Sequence, residues 1–170
     1  EKVKSGGEAF GRIINTSSPS GIYGNVGQAN YGAAKAGIAA FTIITAIELT
    51  KYGVTVNCLA PGAYTRMTAD LPGFSAMDEE TREAMGPRWI AVPAAWLCSE
   101  AARNVTGRVF DVVGNRLGIS EQWQLGPSGT QPDDPADLGD LMAELMANAQ
   151  LNSGMDGNPA EGPGRPGHTI

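Results

Sequence analysis

The chain has 170 residues and a formal net charge of −6, from 12 Lys and Arg against 18 Asp and Glu. This length can bury the core of one domain, and an acidic chain without a basic stripe argues against a nucleic-acid partner. The sequence has no long uncharged apolar run that would predict a membrane span. No metal site is predicted either, because the cysteines are not spaced as ligands and the one histidine, His168, lies in the tail.

The first half of the chain predicts alternating strands and helices. In chain order we predict a helix end with a Gly-Gly loop over 1–10, a buried strand over 11–17, a loop over 19–30, a helix over 28–52 and a strand over 54–60. Gly53 is placed to end the long helix in a left-handed cap, and the dipeptide Pro61-Gly62 predicts a turn after the second strand.

The second half is more mixed. We predict a loop-rich segment over 66–91, a short helix over 92–102 with Pro93 in its first turn, a strand over 108–114, a linker over 126–135, an amphipathic helix over 136–150 and a disordered tail over 151–170. The predicted organisation is a partial dinucleotide-binding domain over 1–125, a linker with a helix over 126–150, and the tail.

A chemically suggestive group lies in the stretch SGIYGNVGQANYGAAKAG and just before it. Tyr31 and Lys35 are four residues apart, so on a helix they share one face. An ammonium group held near a phenol stabilises the phenolate, and a hydroxyl at a strand end, here Ser18, can hold the same reacting oxygen. Such an arrangement suits proton transfer to or from an alcohol or ketone oxygen. Each feature alone is common in proteins, and their combination is what carries the hypothesis.

These residues resemble the signature of the short-chain dehydrogenase/reductase family: a Ser, a Tyr-x-x-x-Lys that begins thirteen residues later, and a strand that ends in Pro-Gly. The runs VNCLAPGAYTRMT and PAAWLCSE resemble more closely the (3R)-hydroxyacyl-CoA dehydrogenase branch of peroxisomal multifunctional enzymes type 2 and their bacterial relatives. The resemblance covers about residues 10–125. It implies the C-terminal half of a Rossmann-like, doubly wound parallel α/β sheet.

The resemblance also implies roles for residues. Ser18, Tyr31 and Lys35 would be catalytic, and Tyr31 and Lys35 would also contact NAD or NADP. The cofactor's nicotinamide would bind the turn formed by Gly62, Ala63, Tyr64 and Thr65, although a plain turn is the alternative. The Gly-rich turn that cradles a pyrophosphate is not found in this sequence, so the cofactor site is expected to be incomplete in these residues.

Partners and substrate are expectations of the same kind. The substrate would be an acyl thioester, or another alcohol or ketone, bound by apolar residues of 66–91 that could equally cover the core. Small residues of the long helix, among them Gly32 and Ala36, allow close approach of its own sheet or of a second copy, and the resemblance implies a homodimer or homotetramer. Cys58 and Cys98 are predicted to be buried free thiols, as in a cytoplasmic protein.

Three interpretations of function remain open. The first is a short-chain dehydrogenase that acts on a 3-hydroxyacyl-CoA or a sterol-derived thioester. The second is a truncated, non-catalytic chain that acts only as an assembly partner. The third is half of an NADPH-dependent 3-oxoacyl carrier-protein reductase, because the residue that selects the 2′-phosphate of the cofactor would lie outside this sequence.

Overall fold

The structure is a computed structural model that describes residues 10–71, 73–121 and 123–159. The chain divides into two compact units, the first ending at Ser120 and the second beginning at Glu121. The helix end and Gly-Gly loop predicted for 1–10 lie outside the described residues, except for Phe10, which is exposed.

The first unit is built on a four-stranded sheet in the order β1-β2-β3-β4. Its strands are β1 (Gly11–Thr16), β2 (Val54–Gly62), β3 (Val109–Val113) and β4 (Arg116–Ser120). The first three are parallel and β4 is antiparallel to β3. The predicted α/β class with a parallel-dominated sheet is therefore confirmed.

Helices cover both faces of this sheet. The α-helices within the described residues are α1 (Pro19–Ile22), α2 (Ala29–Leu49), α3 (Glu79–Ala84), α4 (Arg88–Leu97) and, in the second unit, α5 (Leu138–Asn148). A 3₁₀ turn, Thr50–Tyr52, extends α2, and Gly53 ends it in the left-handed region with φ 70°, as predicted.

The core forms as two clusters on opposite faces of β2. Cys58 and Ala60 pack with Ala39 of α2, whereas Leu59 packs with Leu97 of α4. Successive side chains of a strand point to opposite faces, so a strand covered on both sides must be apolar almost throughout. This explains why six consecutive residues of β2, from 55 to 60, are buried. The layers are helix, sheet and helix.

Three predictions are corrected. Strand β1 was predicted to be buried, but none of its residues is fully buried and Ile13 is 39% exposed, because β1 lies at the edge of the described sheet. Residues 19–22 form one helical turn, α1, and not part of a loop. Strand β2 runs through Pro61 to Gly62 and does not end at residue 60. Proline is tolerated at position 61 because its missing N–H would face β1, whose pairing with β2 ends at Leu59.

The end of the first unit also differs from the prediction. Helix α4 begins at Arg88, so Pro93 is its sixth residue and not part of the first turn. The strand predicted over 108–114 is present as β3 and is an inner strand of the sheet, because β4 folds back beside it. Cys98 follows α4 and is exposed, whereas Cys58 is buried as predicted.

Helix α2 has a further property that the sequence analysis did not anticipate. With its 3₁₀ extension it covers Ala29–Tyr52, with a mean hydropathy of 1.4, and is long and apolar enough to cross a membrane. A core helix of a soluble protein meets the same criterion, so one such helix is a weak sign of a span. In this structure Thr42 is buried against the sheet and accepts a hydrogen bond from Asn15 Nδ2 at 2.9 Å.

The second unit contains the predicted amphipathic helix as α5. A 3₁₀ turn, Pro135–Asp137, precedes it, and Asp134 caps that turn by accepting from the Ala136 amide. Residues 151–159 include one bridge, between Ser153 and Pro159. The remaining part of the tail, 160–170, lies outside the described residues, so its predicted disorder stays a prediction.

Candidate active site

The carboxyl end of β1 is hydrogen-bonded both to strand β2 and to helix α2. Ser17 donates its amide to Leu59 O at 2.7 Å and its hydroxyl to Lys35 O at 2.7 Å, so this strand end is joined to β2 and to α2. Ser17 is 1% exposed, and its polar groups are thus satisfied inside the protein. The end of β1 and the start of α2 therefore form one rigid framework.

Tyr31 and Lys35 lie together on α2. The Lys35 ammonium nitrogen is 5.7 Å from the centroid of the Tyr31 ring and donates to Thr16 O at 3.0 Å. An ammonium group has three N–H donors, so two of them remain for a ligand. Tyr31 is 44% exposed, and in the described part of the chain its hydroxyl has no hydrogen-bond partner. The protein therefore holds the Lys35 ammonium group by one hydrogen bond, while the Tyr31 hydroxyl and the remaining Lys35 N–H groups are accessible to a ligand.

Ser18 lies two residues beyond the carbonyl group that holds Lys35. It is buried, and its Oγ accepts from the Ser20 amide at 3.2 Å, so it caps the amino end of α1. This bond uses a lone pair and leaves the hydroxyl proton available. The observed role of Ser18 as a helix cap is thus compatible with its predicted role as a group that binds the reacting oxygen.

Close backbone packing holds α1 against α2. A Cβ built on Gly21 would lie 2.6 Å from Lys35 Cβ and 2.7 Å from the Ala36 amide nitrogen. A Cβ built on Gly32 would lie 3.1 Å from Ser20 O. Glycine is thus required at position 21, because any side chain there would push α1 away from the residue that carries the ammonium group.

The turn after β2 lies at the same edge of the sheet, because β1 and β2 are parallel and Thr16 pairs with Leu59. Most of its backbone groups are already bonded within the protein. The Tyr64 amide donates to Met85 O at 2.8 Å, and the Thr65 amide donates to Thr68 Oγ1 at 2.8 Å. Gly62 O accepts from the Gly114 amide at 3.0 Å.

The segment that follows this turn packs back on it through Tyr64. The Tyr64 ring stacks with Phe74 at 6.5 Å between centroids, and the Arg82 guanidinium carbon lies 5.2 Å from the same ring. Tyr64 and Arg82 also border a cavity of about 540 Å³, together with Glu79, Glu83, Gly86 and Pro87. Of the apolar residues expected to line a pocket or cover the core, Met67 is 92% exposed and does neither.

A buried polar cluster was missed by sequence reasoning. Tyr23 contacts Asp111 and Ser120 through its hydroxyl, and Arg116 pairs with Asp111 at 3.4 Å. Asp111 is 2% exposed in the middle of β3. The available signal was an acidic residue inside the apolar run VFDVV, because a buried carboxylate requires a partner.

Comparisons with known proteins identify the family. A family model described as enoyl-(acyl carrier protein) reductase matches residues 2–114. The chain is 47% identical over 120 residues to hydroxyacyl-CoA dehydrogenase ChsB1 of Mycobacterium tuberculosis, which covers 69% of this chain and 38% of that protein. It is 42% identical over 109 residues to peroxisomal multifunctional enzyme type 2 of Mus musculus, covering 64% of this chain and 14% of that protein.

The crystal structure of a short chain dehydrogenase from Mycobacterium avium matches the fold with a TM-score of 0.75 and 41% identity, over 89% of this chain and 48% of that one. The chain therefore belongs to the short-chain dehydrogenase/reductase family, as its resemblance predicted. Members of this family generally use NAD or NADP. The chain spans less than half the length of these relatives.

The described residues could contact the nicotinamide end of such a cofactor. Tyr31 and Lys35 present an unbonded hydroxyl and free N–H donors at the carboxyl edge of the sheet, where open α/β sheets bind ligands. In the turn from Gly62 to Thr65, two amides are bonded to Met85 and Thr68, and the binding of the nicotinamide by this turn stays a prediction.

Proposed function

We propose that the protein containing this chain is an NAD(P)-dependent oxidoreductase that interconverts a secondary alcohol and a ketone. The observation that carries this proposal is the geometry of Tyr31 and Lys35: an open phenol on α2 with an ammonium group 5.7 Å from its ring, fixed to Thr16 O at the end of β1. This geometry supports a role for Tyr31 as the acid–base group and for Lys35 as its stabilising cation, at the edge of the sheet where ligands bind.

Each residue has a defined role in this proposal. Tyr31 gives its proton to the substrate oxygen in reduction and takes it back in oxidation. Lys35 stabilises the phenolate form and would hold the nicotinamide ribose of NAD(P) through a remaining N–H, while Ser18 donates its hydroxyl proton to the substrate oxygen. The bound NAD(P) would supply or accept the hydride.

The substrate we propose is a 3-hydroxyacyl-CoA or a sterol-derived thioester. The support is similarity to a hydroxyacyl-CoA dehydrogenase at 47% identity over 69% of this chain. A second candidate is the reduction of a 3-oxoacyl carrier-protein thioester, which is supported by 44% identity, over 64% of this chain, to a 3-oxoacyl-[acyl-carrier-protein] reductase of Vibrio cholerae. The two differ in direction and in thioester carrier, and therefore in which substrate is turned over.

The experiment replaces Tyr31 with Phe in the protein expressed from its native gene. We expect turnover of 3-hydroxyacyl-CoA with NAD to fall at least about 100-fold, because a general acid–base group contributes about that much or more. Binding of NAD, followed by titration calorimetry, should change little. A Tyr52→Phe variant is the matched control, since Tyr52 is exposed beyond α2.

The result that would contradict the proposal is turnover by Tyr31→Phe at the rate of the unaltered protein. Turnover of neither thioester by the folded native protein would instead favour the remaining interpretation, a chain that acts only as an assembly partner. A cytoplasmic location forms part of the proposal, and both cysteines of the described structure are free thiols.

A further inference from the structure

Tyr23 lies where α1 ends, and its hydroxyl joins that turn to the sheet. The hydroxyl donates to Asp111 Oδ2 at 3.2 Å and lies 3.0 Å from Ser120 Oγ. Because a phenol carries one proton, Ser120 then donates to the Tyr23 oxygen while Tyr23 donates to Asp111. Burial raises the pKa of Tyr23, so the phenol keeps the proton that this arrangement requires.

Burial of the carboxylate that accepts this hydrogen bond, Asp111, costs free energy of folding. Asp111 is 2% exposed, Arg116 partly balances its charge at 3.4 Å, and its second oxygen, Oδ1, is buried without a partner among the described residues. A buried carboxylate with an unpaired oxygen lowers stability relative to an apolar side chain of similar size. Stability alone therefore does not explain an acidic residue at this position in β3.

The position of the cluster suggests what it does. Residues 19–28 form several hydrogen bonds among themselves, and in the described structure those that reach the sheet are made by the Tyr23 hydroxyl. Ser18 caps the other end of the same helical turn, and Gly21 in its middle is packed on Lys35. Tyr23 thus anchors one end of a one-turn helix whose other end and flank touch the candidate active site.

We propose that Tyr23 and Asp111 are positioning residues of the active site. Their hydrogen bond fixes α1, and α1 in turn sets the place of the Ser18 hydroxyl relative to Tyr31 and Lys35. This inference rests on the proposed roles of those three residues. A misplacement of about 1 Å can lower a catalysed rate by about 100-fold, so a distant anchor can matter to the chemical step.

The test is a double-mutant cycle of Tyr23→Phe and Asp111→Asn in the native protein, measured as kcat and KM per folded molecule. We expect kcat to fall by about 10- to 100-fold in Tyr23→Phe, with KM for the thioester changed less than about twofold. We expect the double variant to be no slower than the slower single variant, because Tyr23→Phe removes the same hydrogen bond that Asp111→Asn weakens by removing the charge of its acceptor. Tyr52→Phe is again the control.

Several outcomes would overturn the inference. A Tyr23→Phe protein with unaltered kcat would do so, even if its melting temperature fell, because the role would then be structural only. Fully multiplicative effects in the cycle would also do so. If Asp111→Asn does not fold, Ser120→Ala replaces it in the cycle, with the same expectation of non-multiplicative effects on kcat.

A second measurement does not depend on activity and separates this inference from the proposed function. Amide hydrogen exchange of 18–28 should become faster in Tyr23→Phe, while exchange of β2 stays unchanged. Unchanged exchange over 18–28 would refute the anchor itself. If Tyr31→Phe retains turnover while exchange over 18–28 rises as expected, the proposed catalytic roles fail although the anchor is real.

Discussion

Gly114 shows how one residue connects two parts of the candidate site. It turns the chain from β3 into β4 with φ 54°, a conformation that favours glycine. A Cβ at this position would lie 2.6 Å from Ala84 O and 2.7 Å from Met85 Sδ. Its amide also donates to Gly62 O, so it contacts both the end of α3 and the last residue of β2.

We predict that Gly114→Ala lowers the free energy of unfolding by about 2 kcal/mol or more. The left-handed backbone accounts for about 1 kcal/mol, and the forced separation from Ala84 and Met85 accounts for the rest. Urea denaturation gives this difference directly. The control is Gly73→Ala, because Gly73 has φ 90° but nothing within 4 Å of its Cβ position. Equal losses in the two variants would show that close contact at Gly114 has no energetic role.

At the scale of elements, α2 presents two different faces. The face towards the sheet buries Ala39, Thr42 and Ala46. The buried Thr42 hydroxyl accepts a hydrogen bond from Asn15 Nδ2 and donates one to Ile38 O. On the other side, Phe41, Ile44 and Ile47 are 56%, 55% and 74% exposed. An apolar row of this kind on an exposed helix face is typical of a protein–protein contact, and we propose a second copy of the chain as its partner.

If this face binds a second copy, we predict that the double substitution Ile44→Glu and Ile47→Glu lowers the mass of the native protein in solution to that of a monomer. Two carboxylates on this face would have to lose their hydration for α2 to pack against another copy. Light scattering after size exclusion measures the mass. Val26→Glu is the control, since Val26 is 99% exposed on the loop before α2. An unchanged mass in the double variant would assign the contact to another face.

At the scale of the whole molecule, the described residues carry acid–base groups but no phosphate cradle. Tyr31 and Lys35 lie at the carboxyl edge of the sheet, whereas no Gly-x-x-x-Gly-x-Gly follows a strand anywhere in the 170 residues. A pyrophosphate gains much of its binding free energy from backbone amides of such a turn at a helix amino end.

We predict that a protein of these 170 residues alone binds NAD and NADP with a Kd weaker than about 1 mM, because only the nicotinamide side of the cofactor would be contacted. Isothermal titration calorimetry is the measurement, and a short-chain dehydrogenase that contains the glycine-rich turn is the positive control. Saturable heat with a micromolar Kd would show that these residues hold a complete cofactor site.

The sequence predicted the features that depend on neighbours along the chain. A spacing of four on one helix was enough to bring Lys35 to Tyr31, because the helical repeat places these positions on one face. Glycine at position 53 predicted the end of α2 for an equally local reason. The apolar run of β2 predicted a strand of a parallel-dominated α/β sheet, since a strand buried on both faces needs mostly apolar residues. The burial predicted for β1 was wrong, because β1 lies at the edge of the described sheet.

The tertiary structure alone decided the features that join distant residues. Helix α1 is a single turn that exists because Gly21 and Gly32 let it pack on α2, and β4 is a strand because it pairs with β3. Tyr23 and Asp111 are 88 residues apart, so no local pattern could place them together. Hydrogen bonds and packing contacts between distant residues depend on the arrangement of whole elements in space, which a periodicity read along the chain does not contain.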